Sequence, residues 1–219
     1  MAIPVQDIYD RVVDLLLDKD RSQPRWPDEE LVRWINDSRM AIITRRPQAC
    51  SQIATVALVS GTKQTIPADG VVLLDVIRNM GTSGTTPGRS IRRTDRQGID
   101  DMQLYWHKAS PSNEVSQYTF DDRMPKDFYV YPPANDGVQV ELAYAKIPQA
   151  ITEIGGNLEI GLESMDAVVN YVAYRAKSKD SEYANAAEAA AYYGAFNDAL
   201  GVQNQSATAQ SPNQPGNSV

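Results

Sequence analysis

The residues most able to do chemistry fall in a few short stretches. The run Gly81-Thr-Ser-Gly84-Thr-Thr-Pro-Gly88-Arg-Ser90 follows a β-like segment, where a phosphate-cradling loop would stand. Such a loop would need Gly at 83 and Lys at 89, but Ser83 and Arg89 occupy those positions. Pro87 also removes a backbone N–H that a phosphate would use, and Ile91-Arg-Arg continues as strand rather than helix. The run therefore reads as a loop, with contact to a partner as its use.

Asp18, Asp20, Ser22 and Glu29 match positions 1, 3, 5 and 12 of a calcium loop between two helices. Gln23 stands where the sharp turn demands Gly, and Arg21 and Arg25 add positive charge, so polar helix ends explain the pattern better. His107 is the single histidine, and no nucleophile with an orienting acid lies near it in the sequence. Asp100-Asp101 and Asp121-Asp122 read as solvated turn acids, and Cys50 as a small core residue. Arg89, Arg92, Arg93 and Arg96 form the one basic cluster; Asp95 is its expected partner if the strand face is solvated, and carboxylates of another subunit if it is an interface. No catalytic constellation, metal or cofactor is expected.

Two helical periods and one β period must position these residues. Ile8, Val12, Leu15 and Leu16 recur at helical spacing over 5–18. Pro27 with Asp28, Glu29 and Glu30 opens a second helix, carrying Leu31, Trp34, Ile35, Ser38 and Ile42 inward until Pro47. From Gln52 the period is two. Ser60-Gly61-Thr62 predicts a hairpin turn, and Val71–Ile77, Tyr118–Phe120, Phe128–Tyr131 and Val138–Tyr144 read as strands of an antiparallel sandwich or barrel. After Gly155-Gly156, Met165, Val168, Val169, Val172 and Ala176 line a third helix; Tyr183, Ala187, Ala190, Tyr193 and Leu200 line a fourth, capped at Gly201.

The expected fold is therefore α+β. Helical hairpins at 1–50 and 157–201 form a four-helix bundle, 51–156 is an inserted antiparallel β domain, and 202–219 is a flexible or extended tail. A net charge of −7 argues against non-specific nucleic-acid binding but not against surrounding DNA. One cysteine allows no internal disulfide and points to folding inside a cell. The charged start (Asp7, Asp10, Arg11) lacks a signal-peptide pattern, and no apolar run is long enough to span a bilayer, so no membrane partner is expected.

The sequence resembles the head-to-tail adaptor (connector) proteins of tailed bacteriophages. Three ordered stretches carry the likeness: Trp26–Asp37 with Arg45-Arg-Pro47; Leu73–Asn79 through the glycine loop to Phe128–Pro133; and Tyr174–Tyr183 through Ala191–Phe196. The resemblance implies a non-enzymatic virion protein, made in the host cytoplasm and placed at the head–tail junction. It implies a ring, commonly of twelve copies, between the portal and downstream tail or nozzle proteins, with genomic DNA passing through the lumen unread. By position, Gln203–Val219 matches the segment that docks on the portal in several relatives, so Gln203, Asn204, Gln205, Gln214 and Val219 are candidate contacts. Tyr192, Tyr193 and Phe196 lie on adjoining faces of the last helix; some must pack inside, and any that point outward are candidate anchors, while Arg89, Arg92 and Arg93 are candidate inter-subunit groups. Rival readings are a tail-completion or terminator protein, a carbohydrate-binding module using Tyr129, Tyr131 or Trp106, and, weakest with one histidine, a metal-dependent hydrolase.

Overall fold

The computed structural model describes residues 2–179 and 181–210, the stretch 202–210 as backbone. The chain divides into two compact units, Met1–Ala49 with Pro148–Val219, and Cys50–Ile147.

In the first unit, strand β1 (Ala2–Pro4) leads into helix α1 (Val5–Leu15), which buries Val5, Ile8, Tyr9, Val12 and Val13. The helix closes with Leu17 in the left-handed region (φ 55°), while the Asp18 N–H donates back to the Val13 carbonyl at 3.0 Å. This is a Schellman closure with leucine where glycine is usual. Leu17 is 72% exposed, so its side chain contributes little packing there. Leu17→Gly is expected to raise stability by up to about 1 kcal/mol in urea unfolding.

Helix α2 (Asp28–Arg45) gathers Asp28, Glu29 and Glu30 in its first turn and buries Leu31, Trp34, Ile35 and Ile42. Its far half holds the returning chain. The Asn36 amide donates to the Ile151 carbonyl (2.9 Å) and accepts from the Ile151 N–H (3.0 Å), and buried Arg39 donates to the Gln149 carbonyl at 2.8 Å. Helix α4 (Met165–Ser178) buries Ala167, Val168, Val172, Ala173 and Ala176. Helix α5 (Ala186–Gln210) is capped by Asn185, whose Oδ1 accepts from the Ala187 and Glu188 N–H groups at 3.1 Å.

The four-helix bundle of two terminal hairpins does not form. α4 is the hub: α1, α2 and α5 each pack on it, and α1 and α2 do not run along one another. A short sheet belongs to the same core, with β1 antiparallel to β10 (Asn157–Gly161) and Ile3, Leu158 and Ile160 buried beside the helices. The physical reason is the connector between α1 and α2. It is an ordered loop whose Trp26 is 1% exposed in that core, and it holds the two helices apart. α5 likewise passes Gly201 and stays helical to Gln210, so Gln203, Asn204 and Gln205 lie in helix, not in a tail. An open glycine costs only about 1 kcal/mol in a helix, and no proline intervenes before Pro212. Gln214 and Val219 lie outside the described residues.

The second unit holds two four-stranded sheets. One runs β2 (Ser51–Ala57), β9 (Gln139–Lys146), β4 (Gly70–Met80), β5 (Pro87–Ser90); the other runs β3 (Gly61–Thr65), β8 (Asp127–Ala134), β7 (Gln117–Phe120), β6 (Arg92–Arg93). Leu73, Val76, Tyr118, Phe128, Val130, Val140 and Leu142 fill the core they share. Helix α3 (Arg96–Met102) follows β6. The fold is thus α+β with five helices and ten strands in three sheets among the described residues. Ser60-Gly61-Thr62 is not a hairpin turn, because β2 and β3 belong to different sheets. Gly61 (φ 110°) makes a corner there, closed by buried Gln64. Its Oε1 accepts from the Val59 N–H at 2.9 Å, and its Nε2 donates to the Val59 and Gly61 carbonyls at 2.8 and 3.1 Å.

Candidate functional site

The acidic loop after α1 is fully engaged with its own chain. The carboxylate of Asp18, 4% exposed, accepts from the Arg25 N–H (3.1 Å), the Trp26 N–H (3.3 Å) and the Arg21 guanidinium (2.7 Å). Arg21 also pairs with Asp28 and donates to the Trp26 carbonyl at 3.1 Å. Asp20 folds back on the Ser22 hydroxyl at 2.6 Å. The residues that matched a calcium loop therefore build a helix connector, and among the described residues no three His, Cys, Asp or Glu side chains gather for a metal.

Tyr9 joins this network, its hydroxyl donating to Asp28 at 2.6 Å. That bond and Arg21 hold Asp28 below the usual carboxylate range. Burial, then the Asp28 carboxylate, push the Tyr9 phenol up to about 12. A phenol raised on folding stabilises the folded chain fully below its ordinary pKa of 10, and the gain is lost as pH climbs through about 12. Between those pH values the wild type should lose stability more steeply than Tyr9→Phe, as read by urea midpoints across that range.

The glycine stretch forms a hairpin rather than a phosphate loop. β4 and β5 pair antiparallel, the Gly81 N–H meets the Thr86 carbonyl at 2.7 Å, and Gly84 takes φ 71°. Arg89 lies on β5, and Arg92 and Arg93 on β6; all three are exposed. Arg93 lies over the Phe120 ring at 4.5 Å, and Arg96 pairs with Asp100 (3.5 Å), not with Asp95. Arg93, Arg96, Phe120, Asp122 and Tyr129 line a hollow of about 280 Å³ whose acids and bases are mixed.

His107 sits in an aromatic group, not a catalytic one. Its ring stacks on Trp106 at 3.7 Å, and its Nδ1 lies 2.9 Å from the Thr62 hydroxyl. Trp106 is 1% exposed, its indole N–H donating to Asp100 at 2.8 Å. It cannot offer a stacking face to a sugar. The rings of Tyr129 and Tyr131 stand nearly perpendicular to it, and the Tyr131 hydroxyl donates to Gln103 at 2.6 Å. Asp121 accepts from the Arg123 N–H at 2.9 Å, a turn contact.

On α5, Phe196 is wholly buried against Tyr171 at 5.3 Å, so it belongs to the core. Tyr192 is half-buried on the same core. Tyr193, expected in the buried stripe, is 37% exposed instead and accepts from Arg45 at 2.9 Å. It borders an apolar hollow of about 410 Å³ with Tyr174, Ala186, Ala189 and Ala190. Spacing alone left open which of Tyr192, Tyr193 and Phe196 faces outward, and Tyr193 is the most exposed of the three. The period of two from Gln52 announced strand β2, but its position at a sheet border shows in no local pattern.

The groups with chemical potential are thus brought into turns, caps and strand borders, and the exposed ones lie on separate elements. A family model described as SU10 adaptor protein matches residues 3–216, and the chain belongs to that family. It is a structural adaptor of a tailed phage, as the three ordered stretches implied, and a virion component that contacts other components of the head–tail junction. No curated protein matches the chain. Among the described residues no helix is long and apolar enough to cross a membrane.

Proposed function

We propose that the chain assembles as a ring between portal and tail, using its C-terminal segment to dock on the portal and its opposite rim to receive tail components. The observation that carries this reading is the adaptor-family match, which runs through the C-terminal segment to residue 216. The character of that segment supports docking. α5 is fastened by Ala189, Phe196 and Leu200, all buried, but from Gln203 onward the sequence offers no large apolar residue before Val219. A helical turn without a large apolar residue gains little from its own core, so contact with a second protein supplies what the chain lacks. Docking of this segment delays ring closure until the portal provides a template. A ring of about twelve copies of a −7 chain would give an acidic DNA passage, which conducts DNA without gripping it. Arg89, Arg92 and Arg93 are the groups offered to carboxylates of a neighbouring subunit.

Sedimentation of the purified chain with and without purified portal tests the reading. The expected product is a stoichiometric complex much larger than the portal alone. A chain that remains apart from portal at every ratio would contradict it.

A further inference from the structure

The borders of the two sheets are not equally protected. β5 begins with Pro87 and carries Arg89, β3 carries Lys63 paired with Asp127 (3.1 Å), and β6 consists of Arg92 and Arg93. Proline, charge and shortness are the usual means of keeping a sheet border from pairing with another chain. β2 has none of them. It spans seven residues, Ser51–Ala57, with neither charge nor proline, and hydrogen-bonds only to β9 in its sheet.

The register shows which of its groups are free. Leu58 donates to Val138 at 2.8 Å, and the β2–β9 pairing continues from there without a shift (Ala57↔Gln139, Val56↔Val140, Ala54↔Leu142). In an antiparallel pair the bonded residues alternate, so Val56, Ala54 and Gln52 point their N–H and C=O groups at β9. Ser51, Ile53, Thr55 and Ala57 point theirs away, and all four are exposed. Among the described residues no other backbone bond reaches them. Ile53 is 63% exposed on the outer face, while Ala54 and Val56 are only partly covered at the margin of the core.

We propose that in the free protein this border pairs with β2 of a second copy, antiparallel about a two-fold axis at Ala54. That register sets Ile53 opposite Thr55 and Ser51 opposite Ala57, so every outward-pointing residue meets another and the bonds close in reciprocal pairs. The two copies of Ala54 form the non-bonded pair on the axis, where Cα atoms approach to about 4.5 Å. No charge opposes its like, since β2 is neutral and the nearby Glu141 is already paired with Arg78 at 2.8 Å. Ala54 gains cover from Ala54 of the second copy and Val56 from its Gln52, and an aggregation-prone border is hidden. The contact is isologous and stops at two copies, so it is separate from the head-to-tail contacts a ring needs.

Sedimentation velocity on the full chain over a wide concentration range is the test. The wild type should pass reversibly from monomer to dimer. Thr55→Pro removes an N–H that faces away from β9, so folding should survive while the dimer weakens at least about tenfold; Ile53→Lys, which leaves the backbone intact, should do the same. Ala54→Cys should give a disulfide-linked dimer under mild oxidation, with Gln52→Cys, off the axis, giving far less. A wild type that stays monomeric throughout overturns the proposal, as does a dimer that both variants leave unchanged or one that Ala54→Cys fails to trap. Portal association, measured separately, should be unaltered in Thr55→Pro, so loss of the dimer and loss of the adaptor reading are told apart.

Discussion

Asp18→Ala should destabilise the protein by about 3 kcal/mol, the cost expected when a buried, charge-assisted cluster loses its acceptor. Two backbone N–H groups, of Arg25 and Trp26, converge on that carboxylate together with the Arg21 guanidinium. Removing it leaves these donors facing a space that the shorter side chain cannot fill. The damage does not stop at the loop, because the same turn seats Trp26 in the core and sets the separation of α1 and α2. Asp18→Asn keeps the size and an acceptor oxygen but not the charge, so it should fall between. Urea unfolding of the three proteins provides the measurement. A loss for Asp18→Ala below about 1 kcal/mol would mean that Asp18 does not organise this connector.

The second large effect concerns partners rather than stability. A chain ending at Gly201 should unfold within a degree or two of the full protein, because it keeps Ala189, Phe196 and Leu200, the buried residues of α5 among the described side chains. Its association with portal should nevertheless weaken by at least about a hundredfold, equivalent to roughly 2.7 kcal/mol. A chain ending at Gln210 divides the effect between the helical extension and the residues after it. If the Gly201 truncation bound portal as tightly as the full chain, docking through this segment would be wrong.

Much of the helical part was legible in the sequence, for a simple reason. Ile8 and Val12, Trp34 and Ile42, and Val168 and Val172 are fixed by one local period, and all are buried. How the helices associate was not legible. It depends on Trp26 and Asp18, whose partners come from a loop with no period at all. β1 is three residues long, too short to show alternation, so the small sheet that completes the helical core left no signal. In the second unit the strands were visible but their partners were not. Ser60-Gly61-Thr62 has hairpin composition, yet the deciding contact is made by the side chain of Gln64. Gly201 suggested a helix end, but the helical residues on both sides carry the backbone through it.

The candidate contact residues divide along the same line. Exposure of Arg89, Arg92 and Arg93 follows from strands too polar to be core. Which aromatic of α5 faces outward follows only from how α5 packs on α4. That packing buries Phe196 and leaves Tyr193 exposed beside Arg45. The glycine loop failed as a phosphate site on sequence grounds, and its hairpin geometry gives the reason for its glycines: Gly84 supplies a left-handed turn residue at the tip.

The place proposed for this chain is the joint between portal and tail. Electron cryomicroscopy of the assembled particle, focused on the head–tail junction, tests it most directly. A closed ring of this chain is expected directly beneath the portal, with the C-terminal end of α5 and the residues beyond it lying against portal subunits. Density for the chain elsewhere in the particle, or a ring whose C-terminal segments face away from the portal, would contradict it.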